Sequence, residues 1–376
     1  MFRLVFASLL LLLSFLVVLR APLYSLWLTA VAVTGYPYWF MGLSFLSVLS
    51  GFYANRYKVP VLLFASIAFL LFSLPIINAC ISKQKVASGL DTVFPDTSQY
   101  ARQVSAFSIK AMFAGIGIRK VAFKEIVYKT SGGQQLSFDF YPSYRKDASP
   151  VVIVIHGGSW EGGDSKQLPE LNSFLANRGY HVAAINYRLS PAFRYPAPVE
   201  DTRSVVDYLV AHSAELLVDT TRFVLLGRSA GGQIALMAAY TLPYKSIRGV
   251  IGYYAPSDMV WGGQIKTNKL VLNTEKIYKG YLGGVYKQVP DMFKEASACE
   301  FVKEQSPPTL LIHGTIDPLV SYGHSERLSA KLAAHHVKHY FLSLPFASHG
   351  CDYNINSPAG QLSAFATAHF IHAVTQ

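Results

Sequence analysis

A serine hydroxyl attacks a carbonyl only when a base takes its proton, and that base works best when an acid orients it. Ser229 stands in FVLLGRSAGGQIA, Phe223–Ala235. Phe223–Leu226 is apolar and long enough for a short buried strand. Gly227-Arg228-Ser229-Ala230-Gly231 fits G-x-S-x-G, and Gly232–Ala239 is small and helix-compatible. That strand–turn–helix context is what a nucleophile elbow requires. A Gly-Ser loop would show the same five residues, so the weight of the motif depends on its partners. In an elbow enzyme they follow in the order Ser, acid, His. Asp317 in TLLIHGTIDPLV lies just past a predicted buried strand, and His349 in LPFASHGCDY lies just past the last one. Both would reach the rim that carries Ser229. Asp258 and Asp352 are alternative acids, and Asp317 before Pro318 could simply form a turn. His313 ends a strand, His324 starts a helix, and His335, His336 and His339 read as surface or helix-end residues.

Such a reaction also needs N–H groups aimed at the developing oxyanion. Ile153–Ile155, a β-branched run, is followed by His156-Gly157-Gly158-Ser159-Trp160, consecutive glycines after a strand. Gly157, Gly158, Ser159 and Ala230 are expected to form the oxyanion hole, with Gly158, Ser159 and Ala230 as amide donors. His156 is expected to shape that loop. Trp160 and Arg228, beside the two motifs, are the expected substrate contacts. This chemistry calls for no metal and no cofactor.

The elements that would position these residues alternate along residues 121–376. Val121–Lys129 and Gln134–Tyr141 flank Thr130-Ser131-Gly132-Gly133, a hairpin signal. Apolar runs then alternate with helical patterns. The runs are Val151–Ile155, His181–Asn186, Phe223–Leu226, Ile247–Tyr254, Thr309–Ile312 and His339–Leu344. Such alternation predicts a mostly parallel sheet with helices on both faces, an α/β fold. Residues 256–299 interrupt it with Trp261, Tyr278, Tyr281, Tyr286 and Phe293. That insertion could be a lid or ordinary packing.

Residues 1–82 differ in kind. They hold Arg3, Arg20, Arg56 and Lys58 but no acidic residue. Leu4–Leu19, Tyr38–Ala54 and Val59–Ala79 are the apolar runs, against the roughly 20 residues needed to cross a bilayer. We expect a membrane anchor of about three spans, with Pro22–Val33 as a half-helix or interfacial segment. The basic Asn55–Lys58 loop would face the cytoplasm, which puts the catalytic domain outside. Residues 83–120 form a linker in which Tyr100, Val104, Phe107, Ala111 and Ala114 recur at helical spacing, as in an amphipathic helix. Cys80, Cys299 and Cys351 make no disulfide framework, and Cys299 and Cys351 are expected as thiols. The net charge of +11 is spread along the chain and suggests no nucleic acid. The expected partners are the bilayer and a small or lipid-like acyl ester.

The motifs together resemble the α/β-hydrolases of the hormone-sensitive-lipase and carboxylesterase-like group. HGGSWEGGD at 156–164 is similar to the HGGxW signature of its ferulic-acid-esterase-like and kynurenine-formamidase-like branch. NYRLSPAFRYPAPVEDTRSVVDYL at 186–209 is similar to the family's Y-R-L-x-P…P…E-D segment, in which Asp201 would be structural. The resemblance implies an α/β-hydrolase fold and a serine ester hydrolase working through an acyl enzyme. A peptidase, amidase or acyltransferase would carry the same triad, and a binding module would ordinarily lose part of it. Ser159 replaces the third glycine of the HGGG loop, and the soluble members of the group lack the apolar amino-terminal region.

Overall fold

The computed structural model describes residues 1–54, 56–95, 105–131 and 133–376. Eight strands form one sheet in the order β1-β2-β4-β3-β5-β6-β7-β8. They are β1 (Lys124–Ser131), β2 (Gln134–Tyr141), β3 (Ser149–Ile155), β4 (His181–Ile185), β5 (Val218–Arg228), β6 (Ile247–Tyr253), β7 (Thr309–Gly314) and β8 (His339–Leu344). The β1–β2 hairpin joins antiparallel to β4, and β4, β3, β5, β6, β7 and β8 run parallel. The mostly parallel sheet expected from the alternation is present, element by element.

Strand periodicity of two explains why these runs are apolar throughout. Val151, Ile153 and Ile155 of β3 join Phe223 and Leu225 of β5 in the core on one face. Val152 and Val154 join Val224 and Leu226 on the other, beneath the carboxyl-terminal helix Pro358–Thr375. The insertion is helical, with Met259–Gly262, Thr274–Leu282 and Pro290–Glu295. Its Tyr281 and Phe293 are buried in the first core, so those aromatics pack.

The amino-terminal region is four helices: α1 (Phe2–Ser14), α2 (Tyr24–Gly35), α3 (Pro37–Gly51) and α4 (Lys58–Val93). α1, α3 and α4 pack together around Leu10, Ala68 and Phe72 at one level and Ala7, Val61 and Ala65 at another. Among the described residues, α4 is the one helix long and apolar enough to cross a membrane. α4 continues without a break past residue 82, and Ala79, Val86 and Leu90 enter the core under the sheet. The expected linker therefore begins as the last turns of α4, a helix that buries one face through Val86 and Leu90 and leaves the other exposed. Of the amphipathic stripe, Tyr100 and Val104 lie outside the described residues. The described helix is Ile109–Ala114, capped by the Ser108 hydroxyl, with Phe107 buried just before it.

Candidate active site

The carboxyl ends of β3, β5, β7 and β8 converge on one rim. β5 ends at Arg228, and Ser229 follows with φ +52° and ψ −120°. This strained turn lifts the hydroxyl clear of the backbone before the helix Ala230–Thr241 begins. Its glycines are obligatory. A Cβ on Gly227 would lie 2.0 Å from the Gly231 carbonyl oxygen, and one on Gly231 would lie 2.2 Å from that of Ile155.

The three predicted residues meet. His349 Nε2 lies 3.0 Å from Ser229 Oγ, and His349 Nδ1 lies 2.6 Å from Asp317 Oδ2. Asp317 is fully buried and has both oxygens in use. Oδ1 accepts the amides of Leu319 and Val320 at 2.8 and 2.9 Å, while Oδ2 also faces His313 Nε2 at 3.2 Å. Burial pushes this carboxyl up, but His349 and His313 outweigh it and hold Asp317 well below the usual carboxylate range. An ionised carboxylate only accepts, so His349 Nδ1 carries the hydrogen and Nε2 is free to accept the serine proton.

His313, discounted above as a strand end, is thus a second support for the acid. Its Nε2 also faces the Val320 carbonyl at 3.1 Å, which can only accept, so that nitrogen is protonated and donates to both oxygens. Nδ1 then accepts from the Ser325 hydroxyl at 2.8 Å. The signal that could have found it is the i,i+4 spacing in H-G-T-I-D. The alternative acids are engaged elsewhere: Asp258 with Arg327, and Asp352 with Arg228 and Tyr254.

The loop after β3 passes against the elbow, with Ser229 Cβ only 3.3 Å from where a Cβ on Gly157 would stand. Gly158, Ser159 and Trp160 all have positive φ. The Gly157 amide donates to Gln167 Oε1 at 2.8 Å, so Gly157 shapes the loop and is not free to donate. Among the described residues the amides of Gly158, Ser159 and Ala230 donate to no protein group. His156 lies under the loop, stacked on Tyr187 with ring centres 4.3 Å apart, and burial pushes its imidazole down.

Ser229, Ser159 and Trp160 line a cavity of about 420 Å³ whose outer wall is the 262–278 part of the insertion. Trp160 stacks on Tyr281 at 4.3 Å, and both donate to Gln233 Oε1 from below. Trp160 is where a substrate contact was expected. Arg228 is not. The residue before Ser229 points to the opposite side of β5, where Arg228 is buried against Tyr253 and bonds Asp352 Oδ2 at 2.6 Å. Asp201 has the structural place expected for it, buried and bonded to Arg188 and Lys129. Cys299 and Cys351 are free thiols.

Residues 138–332 match the BD-FAE family. The chain belongs to the BD-FAE family. Among individual relatives, esterase LipC of Mycobacterium tuberculosis is 27% identical over 240 residues, covering 60% of this chain and 59% of LipC. Esterase LipQ of the same organism is 27% identical over 213 residues, 54% of this chain and 51% of LipQ. The chain thus spans about half to three fifths of the length of these relatives. Among solved structures, a Pyrobaculum calidifontis esterase superposes with a TM-score of 0.60 at 17% identity, covering 79% of this chain and 94% of that one. A puromycin-hydrolysing peptidase of M. tuberculosis gives 0.58 at 21% identity, covering 68% of this chain and 39% of that one. At these identities the superpositions establish that this BD-FAE chain has the α/β-hydrolase fold. The amino-terminal helices lie outside the matched BD-FAE residues.

Proposed function

We propose that this BD-FAE chain is a serine carboxylic-ester hydrolase attached to a membrane. The observation that carries the chemistry is the relay from Ser229 Oγ through His349 to Asp317, at 3.0 and 2.6 Å, at the base of a cavity. In this reading Ser229 Oγ bonds the ester carbon as His349 Nε2 takes its proton. Gly158, Ser159 and Ala230 amides hold the oxyanion, a role in which each donor is worth roughly 3–4 kcal/mol of transition-state stabilisation. Collapse breaks the ester C–O bond, and His349 returns the proton to the leaving alcohol. Water then attacks the acyl enzyme with His349 again as base, which regenerates Ser229. Asp317 stays ionised and holds the imidazole in its working tautomer.

The same relay can cleave amides, and the likeness to a peptidase structure keeps that second reading in view. Turnover of p-nitrophenyl butyrate against the matching butyryl anilide separates the two. We expect the ester to turn over at least about a hundredfold faster, with Ser229→Ala inactive on both. Comparable rates on ester and anilide would favour an amidase.

The membrane reading rests on where the apolar surface lies. Phe2, Leu12, Trp39, Val59 and Ile81 are all exposed on the amino-terminal helices, and few large apolar side chains of the catalytic part are. A patch of that extent is costly in water. We place the first half of α4 across the bilayer with α1 and α3 beside it. α1 with its 3₁₀ extension to Val17 and α3 are about 24 and 22 Å long at about 1.5 Å per residue. Both fall short of the ~30 Å hydrocarbon core, a mismatch that local thinning accommodates. Arg3 donates to the Tyr53 carbonyl in the α3–α4 connection, the same connection that carries Arg56 and leads into Lys58, at the end of α4 opposite the one packed under the sheet. The positive-inside rule then puts that end in the cytoplasm and the catalytic domain on the other side.

A further inference from the structure

The loop that carries His349 is held in part by the amino-terminal helices. Phe346, three residues before the histidine, packs into the bundle core formed by Leu10, Val17, Ala68 and Phe72. The His349 carbonyl accepts the indole N–H of Trp27 at 3.1 Å. Asn354, five residues after it, donates to the Gly35 carbonyl at 2.7 Å. Phe346 has φ +62°, a backbone conformation that is strained for a residue with a side chain, while Gly350 at φ +77° makes its turn without that strain.

Trp27 also meets the imidazole. The two ring centres are 6.1 Å apart in an edge arrangement, and Tyr254 stands on the ring at 4.3 Å. The catalytic ring is therefore bounded by one aromatic from β6's end and one from α2. α2 itself is fixed across the rim at both ends. The Tyr24 amide donates to the Leu270 carbonyl at 3.1 Å, Asn268 donates to the Pro22 carbonyl at 2.8 Å, and Asn354 holds the Gly35 end. Arg20, Ala21 and Pro22, just before α2, form part of the cavity wall.

We propose that the amino-terminal helical unit is a working part of the active site, with Trp27 as the positioning residue for His349. This rests on the reading of His349 as the catalytic base. The indole N–H fixes the backbone of the histidine, and its ring edge limits the swing of the imidazole. Nε2 is thereby kept on Ser229 while Nδ1 stays on Asp317. Because Trp27 acts on the base and does not form the substrate wall, its loss should lower turnover and leave substrate affinity in place.

The test uses the full-length chain in detergent and compares Trp27→Phe, which keeps a ring but removes the N–H, with wild type. Leu28→Ala, on an exposed position of the same helix, is the control. We expect Trp27→Phe to lower kcat on p-nitrophenyl butyrate about three- to tenfold, the range one lost hydrogen bond commands. KM should stay within about twofold, the melting temperature should fall by no more than about 5 °C, leaving the protein folded at the assay temperature, and phosphonylation by a fluorophosphonate should slow in parallel with kcat. Ser229→Ala and His349→Ala are measured alongside. If both lose phosphonylation while Trp27→Phe keeps wild-type kcat, the relay stands and Trp27 merely packs. A loss of kcat that only follows the melted fraction would overturn the positioning role too. If His349→Ala is phosphonylated as fast as wild type, the reading of the base itself fails.

Discussion

His324 is a buried imidazole whose Nδ1 accepts the Asp258 amide at 3.2 Å, and it lines the same cavity as Ser229. Burial, reinforced by nearby His313, pushes it down to about 3, from an ordinary value of 6.5. Between those values the unfolded chain binds a proton that the native state refuses, so stability falls as pH drops below about 6.5. Asp317 acts in the same direction in a lower pH window. Its folded value is depressed, so its contribution is complete above the ordinary 3.8 and fades only below it. Buried His156 and His181, both shifted down, share His324's slope. His324→Gln should therefore partly flatten the fall in melting temperature between pH 6.5 and 4. An unchanged slope would show that His324 takes up its proton in the folded protein. Ser229, Asp317 and His349 were legible because each follows a recognisable strand. The second partner of Asp317 was not, since a histidine at a strand end looks alike whether it faces solvent or a carboxylate.

At the scale of elements, the sheet was readable because parallel strands covered on both faces must be apolar throughout. Val151–Ile155 and Phe223–Leu226 are such runs, and their alternate residues fill the two cores. The elbow was readable because Gly227 and Gly231 have no substitute where backbones approach to contact. Roles that depend on which way a side chain turns were harder. Arg228 beside Ser229 suggested a substrate contact, yet as the last residue of β5 its side chain lies against Tyr253 and forms the ion pair with Asp352. The Gly157 amide was spent on Gln167, ten residues away in a loop that carries no periodic signal. In the insertion, Tyr281 and Phe293 are buried and pack. Those two aromatics belong to the core, while Ile265–Thr274 contributes to the cavity wall.

At the scale of the whole molecule, the amino-terminal helices and the catalytic part are one packed unit. Leu90 and Phe94 lie in the sheet's core, and Trp27 reaches a residue 322 positions away. Periodicity along the chain can announce an apolar helix but cannot say which partner its face will meet, so this docking was invisible in the sequence. If the outward apolar surface lies in lipid, the full chain should stay in the pellet when membranes are washed with alkaline carbonate. Release into the supernatant would mean that the helices bind only at the surface. The central claim is that Ser229 forms a covalent intermediate with His349 as its base, and the most direct measurement is mass spectrometry of the full-length protein after exposure to a fluorophosphonate. A single adduct is expected, mapped to the peptide containing Ser229 and absent from Ser229→Ala. An adduct of equal yield in Ser229→Ala, or one mapped to another residue, would contradict it.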